Sequence, residues 1–145
     1  MSDLALSVIA LGVSDLARSV AFYEGFGLVR KVKATGDEIA FFDAGCAVLA
    51  VMPWDLLAED AVVPAQPRPQ AFRGVTFARN CGTVAEVDEL FARALKLGAR
   101  PLKQPQTTAF GGYSGYFADP DGHAWEVVHV PNFPVSPEGR VHLPD

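Results

Sequence analysis

The residue types able to do chemistry in this chain are few, and one stands apart from its surroundings. In GYFADPDGHAWEVV, residues 115–128, a carboxylate, Glu126, sits inside an apolar strand pattern. Such an acid can ligate a divalent cation, provided other donors converge on it. It can act as a general base or anchor a polar ligand group when partly desolvated. It can also pair for structure with a cation on an adjacent strand, for which Arg79, Arg30 and Lys103 are the candidates, none placed by the sequence. Tyr113, with its hydroxyl, is the candidate oxyanion donor should Glu126 act as a base. Alternation along 123–130 puts Ala124, Glu126 and Val128 on one face and His123, Trp125, Val127 and His129 on the other. His129 therefore does not share the side of Glu126. His123 follows the turn and reads as a rim residue, and His142 lies in PNFPVSPEGRVHLPD, which reads as irregular. No H-x-E, H-x-H or C-x-x-C spacing occurs, so the three histidines read as surface or packing residues. Cys46 and Cys81 have no neighbouring bases and read as small packing residues.

The elements that must position Glu126 follow from periodicity and turn chemistry. Residues 4–13, LALSVIALGV, read as a buried strand. A helix then runs to Glu24, with Leu16, Val20 and Tyr23 on one side and Ser14 or Asp15 as its cap. Strands are expected over 28–34, 38–43 and 46–52, and Trp54–Glu59 suits one helical turn. AVVPAQPRPQ, residues 61–70, carries Pro64, Pro67 and Pro69, which favour an extended connector. The order then begins again with a strand over 73–79. Thr83 and Glu86 have capping-box spacing, and Val87, Leu90, Phe91, Ala94 and Leu95 form the apolar stripe of a second helix closed by Gly98. Further strands are expected over 99–104, 106–118 and 123–130. Asp119-Pro120-Asp121-Gly122 reads as a hairpin turn. Gly111-Gly112 is not a phosphate loop. It reads either as a flexible lip carrying Tyr113 and Ser114 or as a place where backbones approach closely.

Strand, helix and three strands thus occur twice. One helix covers one face of such a sheet, so the other face is left open, and two open faces can enclose a cavity. The expected organisation is a single domain over 1–145: module one over about 4–60, a connector over about 61–72, module two over about 73–131 and a tail over 132–145.

Composition excludes several functions. The 145 residues are half hydrophobic and one-fifth charged, with a net charge of −5. An acidic chain without a Lys/Arg cluster has no basic face for nucleic acid or for anionic lipid. No apolar run approaches the roughly 20 residues that span a bilayer. MSDLALSVIALGV lacks the basic start of a signal peptide. Two cysteines make no disulfide framework, and a cytoplasmic setting is expected.

Three stretches, LGVSDLARSVAFYEGFGL (11–28), GVTFARNCGTVAEVDELFARALKLGA (74–99) and GGYSGYFADPDGHAWEVVHVP (111–131), resemble the vicinal oxygen chelate superfamily. That superfamily includes glyoxalase I, bleomycin-resistance proteins and extradiol dioxygenases. The resemblance implies an α+β fold of two βαβββ modules, whose curved mixed sheets surround a cavity, in a homodimer. It also implies metal ligands on four strands. Glu126 matches the last of these, whereas the other three positions fall on Val8, Ala50 and Gly74. One carboxylate cannot retain a catalytic ion against water. The expectation is therefore no metal and no other cofactor. The cavity would instead take a small, largely apolar or aromatic molecule, lined by Val8, Ala50, Trp54, Gly74, Tyr113, Ser114 and Glu126. Whether the chain is an enzyme stays open. The alternatives are a metal-independent isomerase or lyase with Glu126 as base and Tyr113 as oxyanion donor, and a metal-dependent glyoxalase or dioxygenase.

Overall fold

The computed structural model describes residues 3–64 and 71–145, in two compact units divided between residues 68 and 69. Pro67 and Pro69 of the expected connector lie outside the described residues.

In the first unit, β1 (Val8–Val13) leads into α1 (Leu16–Gly25). Asp15, not Ser14, is the helix N-cap: its side chain accepts the Arg18 amide at 3.0 Å. β2 (Arg30–Lys31), β3 (Ala40–Asp43), β4 (Val48–Pro53) and α2 (Trp54–Asp60) follow. The sheet order is β1-β4-β3-β2, with β1 parallel to β4 and the other pairs antiparallel. Leu11, Val13, Phe42, Leu49 and Val51 share one face and are buried with Phe22 and Tyr23 of α1. The Tyr23 and Phe42 rings lie 6.2 Å apart. The opposite face carries Val8, Ala10, Gly12 and Ala50. There α2 folds back on β1, and a Cβ at Gly12 would stand 2.7 Å from Cε3 of Trp54.

The second unit repeats the plan with β5 (Phe77–Asn80), α3 (Val84–Lys96), β6 (Arg100–Thr107), β7 (Tyr113–Ala118) and β8 (Ala124–His129). Its order is β5-β8-β7-β6, again with the first and last strands parallel. Thr83 caps α3 by accepting the Glu86 amide at 3.1 Å. Glu86 returns a bond to the Gly82 amide at 2.8 Å, one residue before the position of a standard capping box. α3 packs on β7 and β8 and buries Val87, Phe91 and Ala94, on the face that holds Phe117 and Val127. Together the units form an α+β architecture of two four-stranded mixed sheets, each with a helix.

Several strands are shorter than expected. The strand over 4–13 begins at Val8, with Leu4 and Leu6 exposed rather than buried, and the strand over 106–118 is confined to Tyr113–Ala118, its first residues belonging to β6. The strand over 28–34 contracts to Arg30–Lys31 because Val32 turns left-handed, at φ 53°, into a 3₁₀ turn over Lys33–Thr35. The strand over 73–79 starts at Phe77, after Gly74 at φ +79°. The segment after β8, expected to be irregular, forms a small hairpin. Val135 bridges Val141, the Ser136 amide bonds the Arg140 carbonyl at 2.8 Å, and the His142 amide bonds the Pro134 carbonyl at 2.9 Å.

Candidate functional site

The Asp119–Gly122 turn fixes what Glu126 can reach. Asp119 Oδ1 accepts the amides of Asp121 and His123, both at 2.9 Å, and this sets the register in which β8 returns along β7. Ala118 then pairs with Ala124, and Tyr116 with Glu126. The two side chains stand on the sheet face opposite α3 as directly paired cross-strand neighbours, the phenol beside the carboxylate. Burial, then the charge of neighbouring Glu126, raise the Tyr116 pKa above the ordinary phenol value. Tyr116 is therefore a proton donor over the physiological range. Behind it, Lys103 Nζ lies 5.5 Å from the Tyr116 ring centroid and donates to Ser114 Oγ at 3.1 Å.

Glu126 opens onto a cavity of about 410 Å³ within the second unit. Asn80, Glu126 and Val128 of the sheet form one side, and Thr108, Phe110 and Gly112 of the β6–β7 turn form another. Val130, Phe133, Val141 and Leu143, at and beyond the end of β8, complete it. Its size falls in the range of small-molecule sites, and its walls are largely apolar around a few polar groups.

The expected site residues are not all assembled. Val8, Ala50 and Trp54 belong to the first unit, on the face of its sheet away from α1. Ser114 shares the face of Glu126, but it is 1% exposed and its hydroxyl is engaged by Lys103. Tyr113 is not brought to Glu126. By strand alternation it stands on the helix side, where its hydroxyl donates to Asp88 Oδ1 at 2.7 Å. That bond, first among the causes, raises its pKa. Gly74 lies in the loop before β5 with open space at its Cβ position. Val8 precedes the cap of α1 by as many residues as Thr76 precedes the cap of α3. The position equivalent to Val8 is thus Thr76, a correction that follows from the later start of β5.

The remaining candidates have other occupations. His123 is buried, not a rim residue: its Nδ1 accepts from Arg73 Nη1 at 3.0 Å, while Arg73 Nη2 donates to the Asp121 carbonyl at 2.8 Å. His129 Nδ1 donates to the Cys81 carbonyl at 3.0 Å. Arg79 pairs with Glu86 at 3.2 Å, and Arg30 bonds the Gly36 and Ile39 carbonyls of its own unit. Cys81 is buried, but Cys46 is exposed at the β3–β4 turn and is not a packing residue. Gly112 is a close backbone approach, since a Cβ there would lie 2.9 Å from the His129 carbonyl oxygen.

Sequence reading missed Tyr116 as the partner of Glu126, Asn80 as a lining residue and the tail as a wall. The signal for Tyr116 was present. The residues flanking the Asp-Pro-Asp-Gly turn, counted outward in register, bring Tyr116 and Glu126 face to face. The tail offered no comparable periodicity.

A divalent cation of the kind the resemblance implies needs several converging anionic or imidazole donors. Here the equivalent positions hold Val8, Ala50 and Thr76, and the neighbours of Glu126 on its face are Ala78, Asn80, Tyr116 and Val128. Among the described residues no group of three or more His, Cys, Asp or Glu is placed to hold a metal ion. The donor set does not fit the group.

A family model described as the Glyoxalase/Bleomycin resistance protein/Dioxygenase superfamily matches residues 5–127. Among curated proteins, the metallothiol transferase FosB of Lysinibacillus sphaericus is 29% identical over 129 residues, 87% of this chain and 82% of that protein. A glyoxalase-related enzyme from Fulvimarina pelagi superposes with a TM-score of 0.85 at 35% identity, covering 96% of this chain and 97% of its own. A lactoylglutathione lyase from Agrobacterium tumefaciens has a TM-score of 0.66 at 29% identity, covering 90% and 97%.

Proposed function

The chain belongs to the Glyoxalase/Bleomycin resistance protein/Dioxygenase superfamily, and within it we propose that this member binds a small, largely apolar or aromatic molecule without the metal of its relatives. The carrying observation is the Glu126 carboxylate, paired across the strands with Tyr116 at the wall of an apolar cavity. Glu126 accepts a hydrogen bond from an ammonium or hydroxyl group of the ligand. Asn80 offers a second polar contact, and the apolar walls take the body of the molecule. Assembly as a homodimer in the cytoplasm belongs to the same reading.

A thermal-shift screen of aromatic amines and alcohols tests it, because a ligand that binds only the folded state raises Tm with concentration. Glu126→Gln keeps the shape and removes the charge, so it should lower the shift given by amines. A panel that moves neither protein, or moves both equally, rejects the reading.

The Tyr116–Glu126 pair favours one second reading, a metal-independent isomerase or lyase. Glu126 would take a proton from carbon, and Tyr116, rather than Tyr113, would hydrogen-bond the developing oxyanion. Under this reading Glu126→Gln abolishes turnover while ligand affinity persists.

A further inference from the structure

We infer that the hairpin after β8 is the specificity wall of the Glu126 cavity, and that it selects ligands in which a flat aromatic body lies one short link away from an ammonium group. This rests on the ligand-binding reading above and deepens it. Phe133, Val141 and Leu143 line the cavity from residues beyond 127, where the match to the family model ends.

The hairpin is built rather than loosely draped. The Phe133 amide bonds the Val130 carbonyl at 3.0 Å, so the chain turns as soon as β8 ends. The Val135–Val141 bridge closes the hairpin, and Gly139 occupies φ +90° at its tip. A Cβ at Gly139 would stand 2.6 Å from Arg79 Nη1, which seats the tip against β5. This docking places Phe133 and Val141 around the same cavity as Glu126 and Asn80. A ligand that puts its donor on Glu126 would lay its body against these two side chains, which line the same cavity. An aromatic ring fills such a slot with large apolar area at little entropic cost. The carboxylate favours a cationic head over an anionic one.

The test is titration of the full chain with 2-naphthylmethylamine, with methylamine as the head alone and 2-naphthoic acid as the charge-reversed probe. The wild-type protein should bind the first saturably and the other two at least about tenfold more weakly. Phe133→Ala should weaken the naphthyl probe by about tenfold, the loss expected for one removed aromatic contact, and Phe133→Leu should recover most of it. Val141→Ala, which removes only methyl groups, covers the case in which Phe133→Ala fails to fold, and should weaken binding by about threefold. If both tail variants fold and bind like wild type while Glu126→Gln still weakens the amine, the wall assignment is overturned and the parent reading survives. If Glu126→Gln is also without effect, the parent reading falls and takes this inference with it. Equal binding of 2-naphthoic acid, or no binding of 2-naphthylmethylamine by the wild type, overturns the ligand class.

Discussion

Tyr116 and Glu126 face each other across β7 and β8, so their roles separate by substitution. Tyr116→Phe removes the hydroxyl beside the carboxylate and leaves the ring in place. Amine affinity should then fall by only about threefold, since the anion that pairs with the amine is retained. Isothermal titration of both variants distinguishes this from a larger loss in Glu126→Gln. Cys81 gives a pH prediction. Burial, then the Glu86 charge, push its thiol from 9.0 up to about 11. The folded state thus holds the proton more tightly than the unfolded chain. Its stabilising effect is complete below pH 9, declines as the unfolded thiol ionises, and is gone once pH passes about 11. Chemical denaturation across that range should show a decline that Cys81→Ala reduces, and iodoacetamide should label exposed Cys46 well before Cys81.

At the level of elements, the α3 stripe and the Asp-Pro-Asp-Gly turn were legible because local chemistry decides them, whereas α1 buries Ser19 and Phe22 with Tyr23 and leaves Leu16 and Val20 half-exposed. Thr83 caps α3 by its own hydroxyl, and Thr83→Ala should cost about 1 kcal/mol in urea unfolding. The start of β5 was not legible. Val75 and Thr76 have strand-forming side chains, yet Gly74 at φ +79° and their exposure leave them unpaired. The same holds for β2, where Val32 adopts a left-handed conformation that nothing in its side chain advertises. There Arg30 reaches over the turn to bond the Ile39 carbonyl at 3.2 Å, a contact set by tertiary placement. The tail hairpin depends on a backbone approach too: Gly139→Ala meets both a positive φ and the Arg79 guanidinium. It should loosen the hairpin, read as faster amide exchange at Ser136 and His142, which bond within it.

For the whole molecule, the two-module architecture could be read because the repeat of strand, helix and three strands leaves few topologies. Which residues share a site was less legible, because it depends on strand register and on where the chain goes after β8. The donor set argues for a molecule indifferent to chelators. EDTA should leave Tm and ligand affinity unchanged, and elemental analysis should find transition metal well below one per chain. A stoichiometric metal would show donors converging on Glu126 that the described residues do not supply. No helix among the described residues is long and apolar enough to cross a membrane.

Each sheet places its opening strand beside its closing one, Val8 opposite Val48 and Phe77 opposite Trp125. This arrangement dictates an order of assembly. The first strand of a unit has no permanent neighbour until nearly the whole unit has been synthesised, and closing so long a loop is an entropic barrier that local helices cannot bypass. Collapse of α1 or α3 onto its adjoining hairpin should come early and docking of β1 or β5 late, so pulsed amide exchange during refolding should find β1 and β5 the last to gain protection. Until then these strands expose their edges, so the slow step of refolding is also the moment at which the chain is most prone to misassociate.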